Sequence, residues 1–132
     1  MSTILITDDN SQNMYLTRFL LEQRNHTIFE ATNGQQAVDL CKQHQIDLVL
    51  MDIQMPVMDG LAATRQIKQL PDPPVVIALT AKVMPGDRQK VLDAGCDGYL
   101  EKPIEPARFA DQVEIHLQQM DPNKTHTRQN PD

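Results

Sequence analysis

Short apolar and β-branched runs alternate along the chain with longer stretches in which apolar residues return every third or fourth position. The first run, Thr3 to Thr7, has strand length. Behind it Asn10 or Ser11 can cap a helix, and Leu16, Phe19 and Leu20 stand at i, i+3, i+4, the spacing of one helical face. Thr27 to Ala31 predicts a second strand, broken by Asn33-Gly34, and Ala37, Leu40 and Cys41 predict the inner face of a second helix. Ile46 to Met51 predicts a third strand, apolar throughout apart from Asp47, as suits burial on both faces. Leu61 and Ile67 mark a third helix, which must end near Leu70 because Pro71-Asp72-Pro73-Pro74 cannot continue it. Val75 to Leu79 predicts a fourth strand, and a short helix from about Asp87 to Ala94 stops at Gly95. Gly98 to Leu100 predicts a brief fifth strand. Pro106 then suits the first turn of a last helix, in which Phe109, Val113, Leu117 and Met120 recur at +4, +4 and +3.

Five strands alternating with five helices imply an α/β domain, a doubly wound five-stranded parallel sheet with helices on both faces. Right-handed crossovers leave few topologies, of which the flavodoxin-like order 2-1-3-4-5 is the expected one. The domain spans residues 1–120. Residues 121–132 contain no apolar residue except proline and are predicted to form a disordered polar tail.

Composition and charge narrow the function by exclusion. At 132 residues the chain suits one domain with one good core. A net charge of −6, with no Trp and no Arg/Lys cluster, argues against direct nucleic-acid binding. No apolar run approaches the roughly 18 residues of a membrane span, and the N-terminus enters a strand pattern without a basic leader, so a cytoplasmic protein without membrane insertion is expected. Cys41 and Cys96 lack metal-ligand spacing and read as buried thiols.

The chemistry lies where strands end. Strand 1 delivers Asp8-Asp9, strand 3 delivers Asp52, strand 4 delivers Thr80, and strand 5 runs into Lys102. In an open parallel sheet ligands bind outside these carboxyl ends, and order 2-1-3-4-5 sets strands 1 and 3 side by side at the switch point. Two unit charges about 4 Å apart repel by about 4 kcal/mol at an effective dielectric of about 20, so such a carboxylate cluster requires a cation. Oxygen ligands without His or Cys favour Mg²⁺, which keeps several waters and recruits phosphate oxygens. Lys102 can add a permanent charge and Thr80 a hydroxyl donor.

Asp8-Asp9, Asp52 followed by Met55-Pro56 and Asp59-Gly60, Thr80-Ala81, Gly98-Tyr99 and Lys102-Pro103 together resemble the receiver domain of two-component response regulators, from about Ile4 to Met120. The resemblance implies that Asp52 is the phosphoacceptor and that Asp8 and Asp9 form the acidic pair of a Mg²⁺ site. It implies that the backbone carbonyl of Gln54 completes the protein ligands and that Thr80 and Lys102 bind phosphoryl oxygens. Tyr99 becomes the switch aromatic, and the Lys102-Pro103 bond should be cis, which only an X-Pro bond adopts cheaply. A histidine kinase or histidine phosphotransfer protein is the implied phosphoryl donor, with contacts near Met14, Tyr15 and Arg18 of the first helix. A downstream protein is the implied target, and a phosphorylation-dependent homodimer is compatible with the family. The chain resembles stand-alone receivers, and its Met51 to Pro56 run also resembles receivers of hybrid sensor kinases. Thr7 departs from the pattern, standing where an aliphatic residue usually precedes the acidic pair; its hydroxyl needs a partner.

On this reading the chain is a signalling switch and no turnover enzyme, catalysing only its own phosphoryl uptake and autodephosphorylation. The alternative is a Mg²⁺-dependent phosphohydrolase with an Asp nucleophile, but Asp52-Ile53-Gln54 lacks the second Asp two residues on that such hydrolases use as acid/base. A flavin-binding protein would need a Ser/Thr/Gly-rich phosphate loop after strand 1, where this chain has Asp8-Asp9-Asn10.

Overall fold

The computed structural model describes residues 2–53, 59–80 and 85–120. Its strands are β1 (Thr3–Thr7), β2 (Thr27–Ala31), β3 (Leu48–Asp52), β4 (Val75–Thr80) and β5 (Gly98–Glu101). They pair in parallel in the order β2-β1-β3-β4-β5, as the sequence predicts. Between and after them run α1 (Ser11–Glu22), α2 (Gly34–Gln43), α3 (Gly60–Ile67), α4 (Pro85–Asp93) and α5 (Pro106–Met120).

Side chains of a strand point alternately to its two faces, and β1, β3 and β4 are buried on both. Leu5, Val49, Met51, Val76 and Ala78 pack on one face with Ala37 and Val38 of α2, Ala63 and Ile67 of α3, and Val91 of α4. Ile4, Ile6, Leu48, Leu50, Ile77 and Leu79 pack on the other with Met14 and Leu21 of α1 and with Phe109, Ala110 and Val113 of α5. Polar side chains cap three helices, satisfying amide donors that have no partner within a helix. Asn10 accepts from Asn13 N–H, Asn33 from Gln36 N–H, and Asp59 from Ala62 N–H, at 2.8–2.9 Å.

Several expectations need correction. Strand β3 starts at Leu48 and includes Asp52; Ile46 is buried ahead of it. Helix α4 begins at Pro85, two residues before the predicted start. In α1 the buried stripe is Met14, Thr17 and Leu21, and Phe19 is 48% exposed. Thr17 tolerates burial because its hydroxyl donates to the Asn13 carbonyl at 2.8 Å. Phe19 instead stacks on Tyr15, itself 73% exposed, with centroids 6.3 Å apart. Met14 is buried in the core, and the half-exposed Arg18 pairs with Glu22 and Glu30. Cys96 is buried, whereas Cys41 is only partly so. The predicted tail, 121–132, lies outside the described residues. No described helix is long and apolar enough to cross a membrane.

Candidate functional site

Strand register builds the site. Thr7 of β1 lies beside Met51 of β3, so the next residue of each strand, Asp8 and Asp52, emerges at the same edge. Asp52 lies beside Leu79, and Thr80 follows at the end of β4. Thr80 in turn lies beside Glu101, and the Lys102 N–H donates to the Thr80 carbonyl at 2.8 Å, which fixes Lys102 at the same edge. The Lys102-Pro103 peptide bond is cis.

Asp8, Asp9 and Asp52 each offer a carboxylate oxygen, and these atoms lie within 4.8 Å of one another. Asp9 is exposed, but Asp8 and Asp52 are only 1% and 6% exposed. Lys102 Nζ reaches both buried acids, 3.3 Å from Asp52 Oδ2 and 3.6 Å from Asp8 Oδ2. Lys102 thus reaches two of the three clustered carboxylates. Asp8 Oδ1 accepts the Asn10 N–H at 2.9 Å, while Asp8 Oδ2, fully buried, accepts no hydrogen bond from the described residues. A buried carboxylate oxygen lacking a donor is costly. Together with two neighbouring acids, it makes a donor set suited to a hard divalent cation.

The sequence marks Gly60 only as part of a turn. Its N–H donates to the Ile53 carbonyl at 3.1 Å, and a Cβ at this position would overlap the Asp52 carbonyl oxygen. The start of α3 therefore rests on the backbone of Asp52, and a side chain would push the two apart. The Asp59-Gly60 pair was the available signal, but it spoke of a turn and not of this approach.

Thr7 is fully buried, and its hydroxyl has no hydrogen-bond partner among the described residues. None of the described residues supplies the partner that the sequence asked for. Tyr99 stands apart from the carboxylates: it is partly buried on β5 and packs on the core face covered by α2, α3 and α4. Gln54, the expected carbonyl ligand, and the Met55-Pro56 and Ala81 positions lie outside the described residues.

Comparison with known proteins agrees with this geometry. The family model of the response regulator receiver domain matches residues 4–114. The polar-differentiation response regulator DivK of Brucella anthropi is 39% identical over 118 residues, covering 87% of this chain and 95% of DivK. The receiver domain of a Pseudomonas aeruginosa sensor histidine kinase, solved with a magnesium ion coordinated in its active-site cleft, is 33% identical with a TM-score of 0.77. That match covers 89% of this chain and 94% of the other. The receiver domain of Ssk1 from Saccharomyces cerevisiae, co-crystallised with the histidine phosphotransfer protein Ypd1, is 31% identical with a TM-score of 0.78, covering 85% and 86%.

Proposed function

This chain belongs to the response regulator receiver family of phosphorelay signalling switches, and on that premise we propose that Asp52 is its phosphoacceptor and Asp8, Asp9 and Asp52 its Mg²⁺ ligands. The observation that carries the proposal is the convergence of three carboxylates with Lys102 at the ends of adjacent strands. The Gln54 carbonyl is assigned to the same metal by resemblance. Bound there, Mg²⁺ supplies positive charge to the phosphoryl oxygens and offsets the repulsion among the acids.

The protein's own residues do the rest. An Asp52 carboxylate oxygen attacks phosphorus in line with the leaving group. The P–N bond of a phosphohistidine donor breaks, and its electron pair stays on the imidazole nitrogen. Lys102 turns from the carboxylates toward the transferred phosphoryl oxygens, and the Thr80 hydroxyl donates to another. The product is an acyl phosphate at Asp52, so water attacks it and the chain dephosphorylates itself. Thr80 and Tyr99 relay the modified state to a downstream protein.

A histidine kinase or histidine phosphotransfer protein fits as donor. The Tyr15–Phe19 pair is an exposed aromatic surface on α1. A groove lined by Asn13, Leu16, Pro103 and Ile104 opens beside Lys102. An incoming phosphohistidine would have an apolar seat next to the acceptor, and the yeast neighbour binds a partner of this kind.

Incubation with acetyl phosphate and Mg²⁺ should yield one acid-stable, base-labile phosphate per chain, and Asp52→Asn should abolish it. A variant that still takes up phosphate at the wild-type rate identifies a different acceptor. Asp9→Ala should weaken Mg²⁺ binding, whereas Lys102→Ala should leave it intact or tighter because a competing cation is removed. Equal losses in the two would make Lys102 a structural support of the metal site.

A further inference from the structure

Helix α3 begins with Gly60, although glycine is a poor helix former. Its backbone does not demand glycine, because Gly60 is not in the left-handed region and any residue can adopt a helical conformation. What demands it is space. A Cβ on Gly60 would overlap the Asp52 carbonyl oxygen and stand 2.9 Å from Ile53 Cα and 3.0 Å from the Asp52 carbonyl carbon. Carbon atoms in contact settle about 3.5–4.0 Å apart, so strand or helix would have to give by about 0.5–1 Å.

Neither side is loose. Strand β3 lies between β1 and β4, and just past its end the Ile53 N–H donates to the Leu79 carbonyl at 3.2 Å. On the helix side, the Gly60 N–H donates to the Ile53 carbonyl at 3.1 Å, and the Asp59 side chain caps the Ala62 N–H. The hydroxyl of the fully buried Thr64 donates to the Gly60 carbonyl at 2.7 Å. The first turn of α3 is thus fastened against the backbone of the residue that bears the Asp52 carboxylate. We infer that Gly60 is a positioning residue for phosphoryl uptake, its missing side chain letting α3 serve as a backstop that fixes Asp52 relative to Asp8, Asp9 and Lys102. The inference rests on the reading of Asp52 as phosphoacceptor. Gly60 touches no reacting atom and acts through the Asp52 backbone. A side chain there would shift Asp52, or lift the start of α3 together with the segment that joins it to Ile53 and contains Gln54. A misplacement of about 1 Å at a reacting group can cost about a hundredfold in rate.

The test is the rate of phosphate uptake from acetyl phosphate with Mg²⁺ in excess, measured beside urea unfolding of the same proteins. Folded Gly60→Ala should take up phosphate about 10- to 100-fold more slowly than wild type. Asp59→Ala removes the cap on Ala62 but adds no bulk at Asp52, so it should lower stability and leave the rate within about twofold. Thr64→Val frees the Gly60 carbonyl of its hydroxyl donor and, while folded, should slow uptake about two- to tenfold. If wild type is labelled and Asp52→Asn is not, yet folded Gly60→Ala keeps the wild-type rate, the backstop is wrong while the phosphoacceptor reading stands. The same holds if Asp59→Ala is slowed as much as Gly60→Ala, since loss of helix stability would then be the cause. Should Gly60→Ala fail to fold, an unchanged rate in Thr64→Val overturns the inference. If Asp52→Asn takes up phosphate as fast as wild type, the phosphoacceptor reading fails and the positioning role with it.

Discussion

Both ends of the parallel sheet carry acidic side chains, and they treat them in opposite ways. At the amino ends the acids have donors from the protein itself. Asp47 Oδ2 accepts the Thr3 N–H at 2.8 Å. Asp97 Oδ2 accepts both Lys68 Nζ at 2.9 Å and the Val76 N–H at 2.8 Å. Glu114 takes Arg24 on one oxygen and His26 on the other, at 2.8 and 2.9 Å. His26 Nδ1 accepts the Ser2 N–H at 3.0 Å, so Nε2 carries the proton and donates to Glu114. At the carboxyl ends three acids cluster, Lys102 reaches two of them, Asp8 and Asp52, and Asp8 Oδ2 is left without a hydrogen bond from the described residues. An acid with donors from the chain staples elements together. An acid packed among acids leaves its coordination to something from outside. Among the described residues, donors from the chain, more than burial or sign of charge, distinguish the amino-end acids from Asp8.

The largest effect should come from removing a satisfied acid. Asp97→Asn removes the charge that holds both Lys68 and the Val76 amide, and hydrogen bonds to charged groups contribute about 1.5–3 kcal/mol. A loss of stability of that order in urea unfolding is expected. If the variant is as stable as wild type, the amino-end acids are not staples and the contrast fails.

The same change at the other end should act in the opposite direction. Asp52→Asn removes a charge repelled by Asp8 and Asp9 and attracted by Lys102, so without Mg²⁺ it should raise stability by about 1 kcal/mol. Mg²⁺ should stabilise wild type by mass action and stabilise the variant less. Unfolding of both proteins with and without Mg²⁺ checks the sign. A destabilised Asp52→Asn would show that the Lys102 pair outweighs the repulsion.

Thr7→Val tests whether poor satisfaction at the carboxyl end is confined to the acids. The variant keeps the shape and removes a buried hydroxyl that has no partner among the described residues, so a gain of about 1 kcal/mol is expected. Lower stability would mean that water or a residue outside those described completes the hydroxyl.

The smallest effect concerns the exception at the amino end, His116. Its Nδ1 is buried without a partner among the described residues, and its ring abuts Gly98, where a Cβ would come within 2.8 Å of Cε1. Burial lowers its pKa below the ordinary 6.5, against a smaller opposing pull from Asp97. Just below pH 6.5 the unfolded chain therefore binds a proton that the folded chain resists. Stability should fall as pH drops from about 6.5 toward the lowered folded value. Stability curves for wild type and His116→Asn, followed from pH 7.5 to 5, should diverge in this window. Parallel curves would remove His116 from the account.

The sequence was most legible where local periodicity and chain order do the work. Strand order, helix alternation and delivery of Asp8, Asp52, Thr80 and Lys102 to one edge follow from short apolar runs and polar strand ends, and the structure agrees. It was least legible where two helical faces compete. Leu16, Phe19 and Leu20 fit a helical stripe as well as Met14, Thr17 and Leu21 do; Leu20 packs against the core as expected, but Phe19 does not, and periodicity cannot rank them. Thr17 is accommodated in the core because its hydroxyl bonds its own helix, and Phe19 stacks outside on Tyr15.

What the sequence determined by itself was the set of groups at the site, because a strand of known length ends at a known residue whatever packs around it. Tertiary structure alone decided which groups are satisfied. Lys68 meets Asp97 across 29 positions, Glu114 meets His26 across 88, and Arg88 meets Tyr99 between helix and strand. It also set the missing side chain of Gly60 against the Asp52 backbone. Such meetings depend on how helices sit on the sheet. That placement is fixed by packing among residues far apart in the chain, which no local period encodes.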